Sequence, residues 1–290
     1  MSNCAAIGVG FIPLIDVGSS PHEGVPLGLY PGGNAIPVAH LDAGLTCADV
    51  VTPRKPNGQT HPNGNIGLLS IGPSNTRREF DAFIAQGPAP NPKVVFVNGA
   101  QIGIASAEWA DPLNLCWTRL DIAVANAGLT NAQVQVVWMK LFTKEPTDPS
   151  WPDATDTLQA HLETVCGLLV ARFPNLKIAY LSSRVYGGYA DGPGNPEPYA
   201  YDGAFAVRGL ITKQIDGFLP YSGRARVAPW LCWGPYLWAD GLTPRSDGLT
   251  WDCADFEADG LHTSAAGKTK VATLLRDFLL THPTSVPWFT

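Results

Sequence analysis

Apolar and polar positions follow two rhythms along this chain. Short apolar runs at Ile66–Ile71, 93–97, Val134–Met139 and Ile178–Leu181, with a fifth at 227–232, have the length and continuity of strands buried on both faces. Between them the period lengthens to that of a helix. Phe80, Phe83 and Ile84 share one face of 76–86, and residues 114–127 and 264–280 read the same way. The clearest case is 154–172, where Leu158, Leu162, Val165, Leu168 and Leu169 form one stripe and Pro174 ends the pattern. Strands alternating with helices predict an α/β fold, a three-layer α/β/α arrangement around a central, mainly parallel five-stranded sheet. Residues 1–60 are rich in Gly and Pro and show little periodicity. They predict an ordered lead-in that wraps a single domain spanning 1–290.

Composition narrows the class of function. Apolar residues make up 45% of the 290 residues and charged ones only 15%, against about 25% charged in ordinary soluble domains. This excludes a disordered chain. The net charge is −6, with no basic run longer than Arg77-Arg78, so no nucleic-acid partner is expected. No apolar run reaches the roughly 18 residues of a membrane span, and no membrane association is expected. The 30 Gly and 26 Pro imply many ordered loops on a compact scaffold. Nine Trp and eight Tyr are either core or, on loops, platforms for flat sugar rings or aromatic acyl groups.

Six cysteines occur without a CxxC pair or a neighbouring His cluster, so no metal site is expected. Their even number predicts three disulfides in an oxidising compartment, with Cys232–Cys253 the first pair to test; buried free thiols are the alternative. The first six residues lack the charged and apolar regions of a signal peptide. With disulfides expected, the reading is an extracellular or periplasmic protein whose signal is absent from this sequence.

Sites on parallel sheets lie at the carboxyl ends of the strands, so the loops leaving the strands are where chemistry belongs. The first such loop is Ile71-Gly72-Pro73-Ser74-Asn75-Thr76. It puts Ser74 at a helix N-terminus, beside free backbone N–H groups that favour developing negative charge. Thr76 and Glu79 match a capping box there. The second loop, Asn98-Gly99-Ala100-Gln101-Ile102-Gly103, carries a glycine whose N–H can face an oxyanion unobstructed. The third element, Asp259-Gly260-Leu261-His262, precedes the last helix. An Asp three residues before a His can orient the imidazole through a tight turn and leave its other nitrogen to take a serine proton.

The three elements together resemble the SGNH/GDSL hydrolase superfamily over about residues 64–282. There the nucleophilic serine follows the first strand in Gly-x-Ser, here Gly72-Pro73-Ser74. An oxyanion glycine lies five residues after the Asn ending the second strand, here Asn98 to Gly103. The last motif is Asp-x-x-His, here Asp259 to His262. The resemblance implies the flavodoxin-like SGNH fold and a serine esterase needing no cofactor. Ser74, His262 and Asp259 would be catalytic, and the N–H groups of Ser74 and Gly103 would hold the oxyanion. Two positions depart from the pattern. Pro73 stands where Asp is usual. After the third strand, where Gly-x-Asn is expected, Leu141 and Thr143 stand instead, which makes the Thr143 hydroxyl the candidate third oxyanion donor. Asn75, Arg184, Tyr186 and Trp109 are candidate substrate contacts, with Trp238 a further member of an aromatic platform; Arg184 is read first as the partner of a structural carboxylate. The expected substrate is a small-molecule or carbohydrate ester, first of all a short acyl ester such as acetyl on a sugar. The alternatives are a catalytically degenerate carbohydrate-binding protein, an acyltransferase and a polyester hydrolase. Oligomeric state is not legible.

Overall fold

The computed structural model describes every residue except 1–3, 6, 19–20 and 191; the signal-peptide reading of the first six residues falls mostly outside the described residues. Five strands form the sheet: β1 (Ile66–Ile71), β2 (Val94–Asn98), β3 (Val134–Met139), β4 (Ile178–Leu181) and β5 (Trp230–Trp233). Their order is β2-β1-β3-β4-β5 and every pairing is parallel. That is the flavodoxin-like order, in which the chain reverses direction between β1 and β3 and opens a crevice at the carboxyl ends of those strands. β1, β3, β4 and β5 are buried at every position, and β2 at the edge is partly open. Continuous apolar runs are what strands covered on both faces require. The expected three-layer architecture is present.

The helices are α1 (Val38–Asp49), α2 (Ser74–Ala85), α3 (Ser106–Ala110), α4 (Cys116–Asn126), α5 (Thr155–Arg172), α6 (Tyr199–Ile215), α7 (Ala265–Thr281) and α8 (Val286–Phe289). α2 packs on α7, which meets α8 and through it α1; α5 packs on α3 and α6 in the other layer. The fifth strand starts three residues later than the periodicity implies. Pro229 has no N–H, and the N–H groups of Val227 and Ala228 bond to Pro220 O, which makes that stretch a turn.

Two helices lack a readable pattern. α6 buries eleven of its 17 residues, and a helix apolar nearly all round shows no stripe. α1 lies inside the lead-in and is held by tertiary contacts. His40 Nε2 lies 2.8 Å from Leu231 O, and Trp230 Nε1 donates to His40 O at 3.0 Å. Gly44 sits against the Trp230 ring so closely that a Cβ there would overlap it. Part of the lead-in reaches β5, where Trp233 N donates to the Tyr30 hydroxyl and the Trp233 indole to Leu29 O.

The cysteine expectation needs correction. The disulfide joins Cys4 to Cys253, whereas Cys47, Cys116, Cys166 and Cys232 are free thiols. Cys232 cannot pair with Cys253. It is fully buried in β5, beside the Tyr30 hydroxyl at 3.2 Å, and burial pushes its thiol up to about 12. Among the described residues, no helix is long and apolar enough to cross a membrane, and no three His, Cys, Asp or Glu side chains gather as a metal site.

Candidate active site

The loops after β1, β2 and β3 are stitched together before any side-chain chemistry begins. Lys140 N donates to Ile71 O at 3.0 Å, Gln101 N to Gly72 O at 2.9 Å and Ser106 N to Phe142 O at 3.1 Å. Gly72 lies against the Thr76 side chain and Lys140 O with no room for a Cβ, so the turn from β1 into α2 can hug the end of β3. The capping box expected at Thr76 and Glu79 is absent. Pro73 is the N-cap, and the Thr76 hydroxyl donates to Lys140 O at 2.8 Å. Glu79 instead forms an ion pair with Lys140, both side chains fully buried beneath the site. Burial raises the Glu79 carboxyl and lowers the Lys140 ammonium, and each charge opposes the shift of the other.

Ser74 is the first residue of α2. Its Oγ lies 2.8 Å from His262 Nε2, across 188 residues of sequence. His262 Nδ1 lies 2.7 Å from Asp259 Oδ2. The other carboxylate oxygen, Oδ1, accepts from the backbone N–H groups of Leu261 and His262, each at 2.9 Å. A ring proton on Nδ1, facing the carboxylate, leaves the Nε2 lone pair to accept from the Ser74 hydroxyl. Partial burial works to raise the Asp259 carboxyl, but the hydrogen bonds from His262 and Leu261 outweigh it, and the group titrates below its ordinary value. Gly260 makes this turn possible. Its φ is +63°, and a Cβ would collide with Tyr189 O.

The turn is also anchored from behind. Leu261 O accepts from Asn75 Nδ2 at 3.0 Å. Arg184, 1% exposed, donates to Gly194 O at 2.8 Å and reaches Leu261 O at 3.5 Å, and its guanidinium lies 4.8 Å from the centroid of the Phe142 ring. Burial lowers its pKa to about 10, against the pull of Glu197, Glu79 and Asp259, so it stays cationic. Arg184 therefore ties three loops together behind the site and is absent from the lining of the cavity. Its buried acidic neighbour Glu197 is pushed up to about 7 by burial, against hydrogen bonds from Trp238 Nε1, Gly187 N and Tyr201 N and the charge of Arg184.

Ser74 and His262 open onto a cavity of about 520 Å³, bordered by the loops after β1, β2, β3 and β4 and by the Asp259–His262 turn. It lies at the carboxyl ends of β1 and β3, where the loops leaving the two strands part, the position the sheet order predicts. Gly103 lines it with φ +76° and open space beyond its Cα. Among the described residues, no acceptor meets the N–H of Ser74 or Gly103, so both are free to face an incoming oxygen. Asn75 also borders the cavity.

Four other candidate side chains do not reach the cavity. Thr143 does not border this cavity; Phe142, Lys144 and Glu145 do. Its hydroxyl turns to Ser106 Oγ, 3.5 Å away, and its carbonyl accepts from Asn195 Nδ2 at 3.1 Å. Trp109 and Tyr186 are fully buried, as is Trp238. Trp109 packs on Trp117, and Tyr186 on Tyr189 and Trp238. These rings belong to the core and form no platform. Sequence reasoning missed the cavity walls, Ile102, Ala105, Phe142, Pro193 and Leu261. They come from four loops with no shared period, so no local signal could group them.

Ser74, Gly103, Asp259 and His262, the positions that carry the resemblance, thus come together around one cavity. No family model and no curated protein matches the chain. Among solved structures, it is similar to a putative acylhydrolase of Bacteroides fragilis, at 12% identity over 84% of this chain and 97% of that one, with a TM-score of 0.42. A salicylyl-acyltransferase from a tetracycline biosynthetic pathway matches at 15% identity over 79% of this chain and 58% of that one, TM-score 0.41. The C-terminal catalytic domain of a Streptococcus pneumoniae peptidoglycan O-acetyltransferase matches at 12% identity over 74% and 93%, TM-score 0.34. Likenesses this distant carry no argument about chemistry, which rests on the geometry above.

Proposed function

We propose that this chain is an SGNH-type serine hydrolase of small-molecule carboxylic esters, with Ser74 as nucleophile, His262 as base and Asp259 as its orienting acid. The observation that carries the reading is the unbroken hydrogen-bonded relay Ser74–His262–Asp259, 2.8 and 2.7 Å, at the mouth of a ligand-sized cavity.

His262 Nε2 takes the Ser74 proton as the serine oxygen bonds to the ester carbonyl carbon. The negative charge gathers on the carbonyl oxygen, between the Ser74 and Gly103 N–H groups, at the positive end of α2. The carbon–oxygen bond to the alcohol then breaks, and the imidazolium returns the proton to the leaving alkoxide. Asp259 stabilises the imidazolium and keeps the ring in the required tautomer. Water, with its proton taken by His262, then cleaves the acyl-serine. Each step uses only side chains and backbone of this chain. Because the aromatic rings that favoured a carbohydrate ester lie in the core, the reading does not rest on them. The Cys4–Cys253 bond supports work in an oxidising compartment, outside the cytoplasm.

The test is p-nitrophenyl ester turnover and fluorophosphonate labelling of wild type and Ser74→Ala. Turnover and an adduct on Ser74, both lost in the variant, support the reading. Equal background rates and no adduct in either protein would sink it.

A further inference from the structure

The substrate class of this site follows from the walls of the cavity and from what its polar groups already hold; the inference rests on the ester hydrolase reading above. Ala105 and Phe142 are buried walls, Leu261 and Pro193 also line the cavity, and Ile102 borders it with 68% of its surface exposed. The polar atoms are largely engaged with one another. Ser74, His262 and Asp259 form the relay. The Asn75 amide donates to Leu261 O. Lys144 and Glu145, both at the border, lie 3.9 Å apart as an exposed pair of opposite charge. Asn75 Oδ1 has no hydrogen-bond partner among the described residues but is itself buried, so it offers nothing to the several hydroxyls of a sugar ring. A sugar would leave most of its hydroxyls against hydrocarbon, at a cost for each unmade bond.

We infer that the cavity beside Ser74 holds a medium-length apolar chain on one side of the scissile ester, rather than an acetylated sugar. The cavity of about 520 Å³ lies within the range of roughly 300–1,000 Å³ that encloses whole ligands, and a chain of roughly six to ten carbons is the expected occupant. The rim position of Ile102 fits this occupant: an exposed isoleucine gains burial when a chain lies across it. Each buried methylene contributes about 0.8 kcal/mol, which is about fourfold in kcat/KM.

Two substrate series separate the acyl side from the alcohol side: p-nitrophenyl esters from acetate to decanoate, and alkyl acetates from methyl to octyl. In one series kcat/KM is expected to rise about fifteenfold for every two methylenes until the cavity is full. Ala105→Trp, which takes up part of the cavity, should lower the ratio of long-chain to acetate hydrolysis at least tenfold. Ile102→Ser, on an exposed side chain that folding does not need, should lower the same ratio by a smaller factor. Flat or falling profiles in both series, with hydrolysis that still depends on Ser74, would overturn the inference and leave the hydrolase reading standing. If no ester is turned over in a Ser74-dependent way, the hydrolase reading fails by itself. The cavity is then read by calorimetry on Ser74→Ala. Octanoate binding at least tenfold tighter than butyrate, abolished by Ala105→Trp, supports the apolar occupant, and equal weak binding of both acids overturns it.

Discussion

The two sides of the candidate site are built differently. On the base side, the Asp259–His262 turn is held at every point: three donors on the Asp259 carboxylate, two on Leu261 O, and a glycine wedged against Tyr189 O. On the oxyanion side, the loop after β2 reaches the cavity at Gly103 with open space around it and an exposed Ile102 beside it. The loop after β3 turns the Thr143 hydroxyl toward Ser106. In the proposed mechanism proton transfer needs a fixed distance between donor and acceptor, which the hydrogen bonds of the turn would supply. The oxyanion side needs only N–H groups aimed at a space the substrate will enter, and backbone supplies these without a side chain.

The largest expected effect is on the relay itself. Ser74→Ala should lower kcat by about 10⁶-fold, the scale seen when a serine nucleophile is removed. Asp259→Asn keeps the shape but offers the wrong hydrogen-bonding partner to Nδ1, and should cost about 10⁴-fold in kcat, with a melting temperature close to wild type. Losses below tenfold for Asp259→Asn would show that the turn orients His262 without the carboxylate.

The comparison is sharpest at the two glycines. Gly260→Ala meets both a positive φ of 63° and a clash with Tyr189 O. It should destabilise by well over the ~1–2 kcal/mol of left-handed backbone strain alone and disable the relay. Gly103→Ala has positive φ of 76° but open space, so only the strain of about 1–2 kcal/mol is expected. Urea unfolding of both variants measures the difference; equal losses would mean that the two sides are equally tight.

Thr143→Val separates an oxyanion donor from a structural hydroxyl. Loss of a true donor costs about 100- to 1000-fold in kcat. With the hydroxyl turned to Ser106, a loss below about tenfold is expected, roughly that of one ordinary hydrogen bond.

The smallest effect concerns pH. Glu197 has a folded pKa of about 7 against an ordinary 4.5, raised by burial. Its contribution to stability is therefore complete at pH below its unfolded value and lost as pH rises through about 7. Asp259 runs the other way. Its lowered pKa stabilises the fold above the ordinary value of 3.8, and that contribution disappears as pH falls below it. Glu197→Gln should flatten the stability profile between about pH 4.5 and 7, while Asp259→Asn should leave that window unchanged. Melting temperatures across pH 4–8 test both.

Several elements were legible because they announce themselves locally. Four strands and the helices at 76–86, 114–127, 154–172 and 264–280 appear within a few residues of their expected bounds. α6 was not legible, because small and apolar residues surround it on nearly every face. Neither was α1, whose position depends on Trp230 and Leu231, 190 and 191 residues from His40. The disulfide was misjudged for the same reason: spacing cannot reveal that Cys232 faces a core while Cys4 comes round to Cys253.

By itself the sequence determined the α/β alternation and the three loops that carry Ser74, Gly103 and Asp259–His262. Burial in a parallel sheet writes a continuous apolar run, and tight turns demand glycine at set positions. Only the tertiary structure decided which way Thr143 turns, that Trp109 and Tyr186 are core, how the cysteines pair, and that the cavity is walled by Ile102, Ala105, Phe142, Pro193 and Leu261. A side chain in a loop takes its direction from neighbours that the loop meets only after folding, and no period along the chain records those meetings.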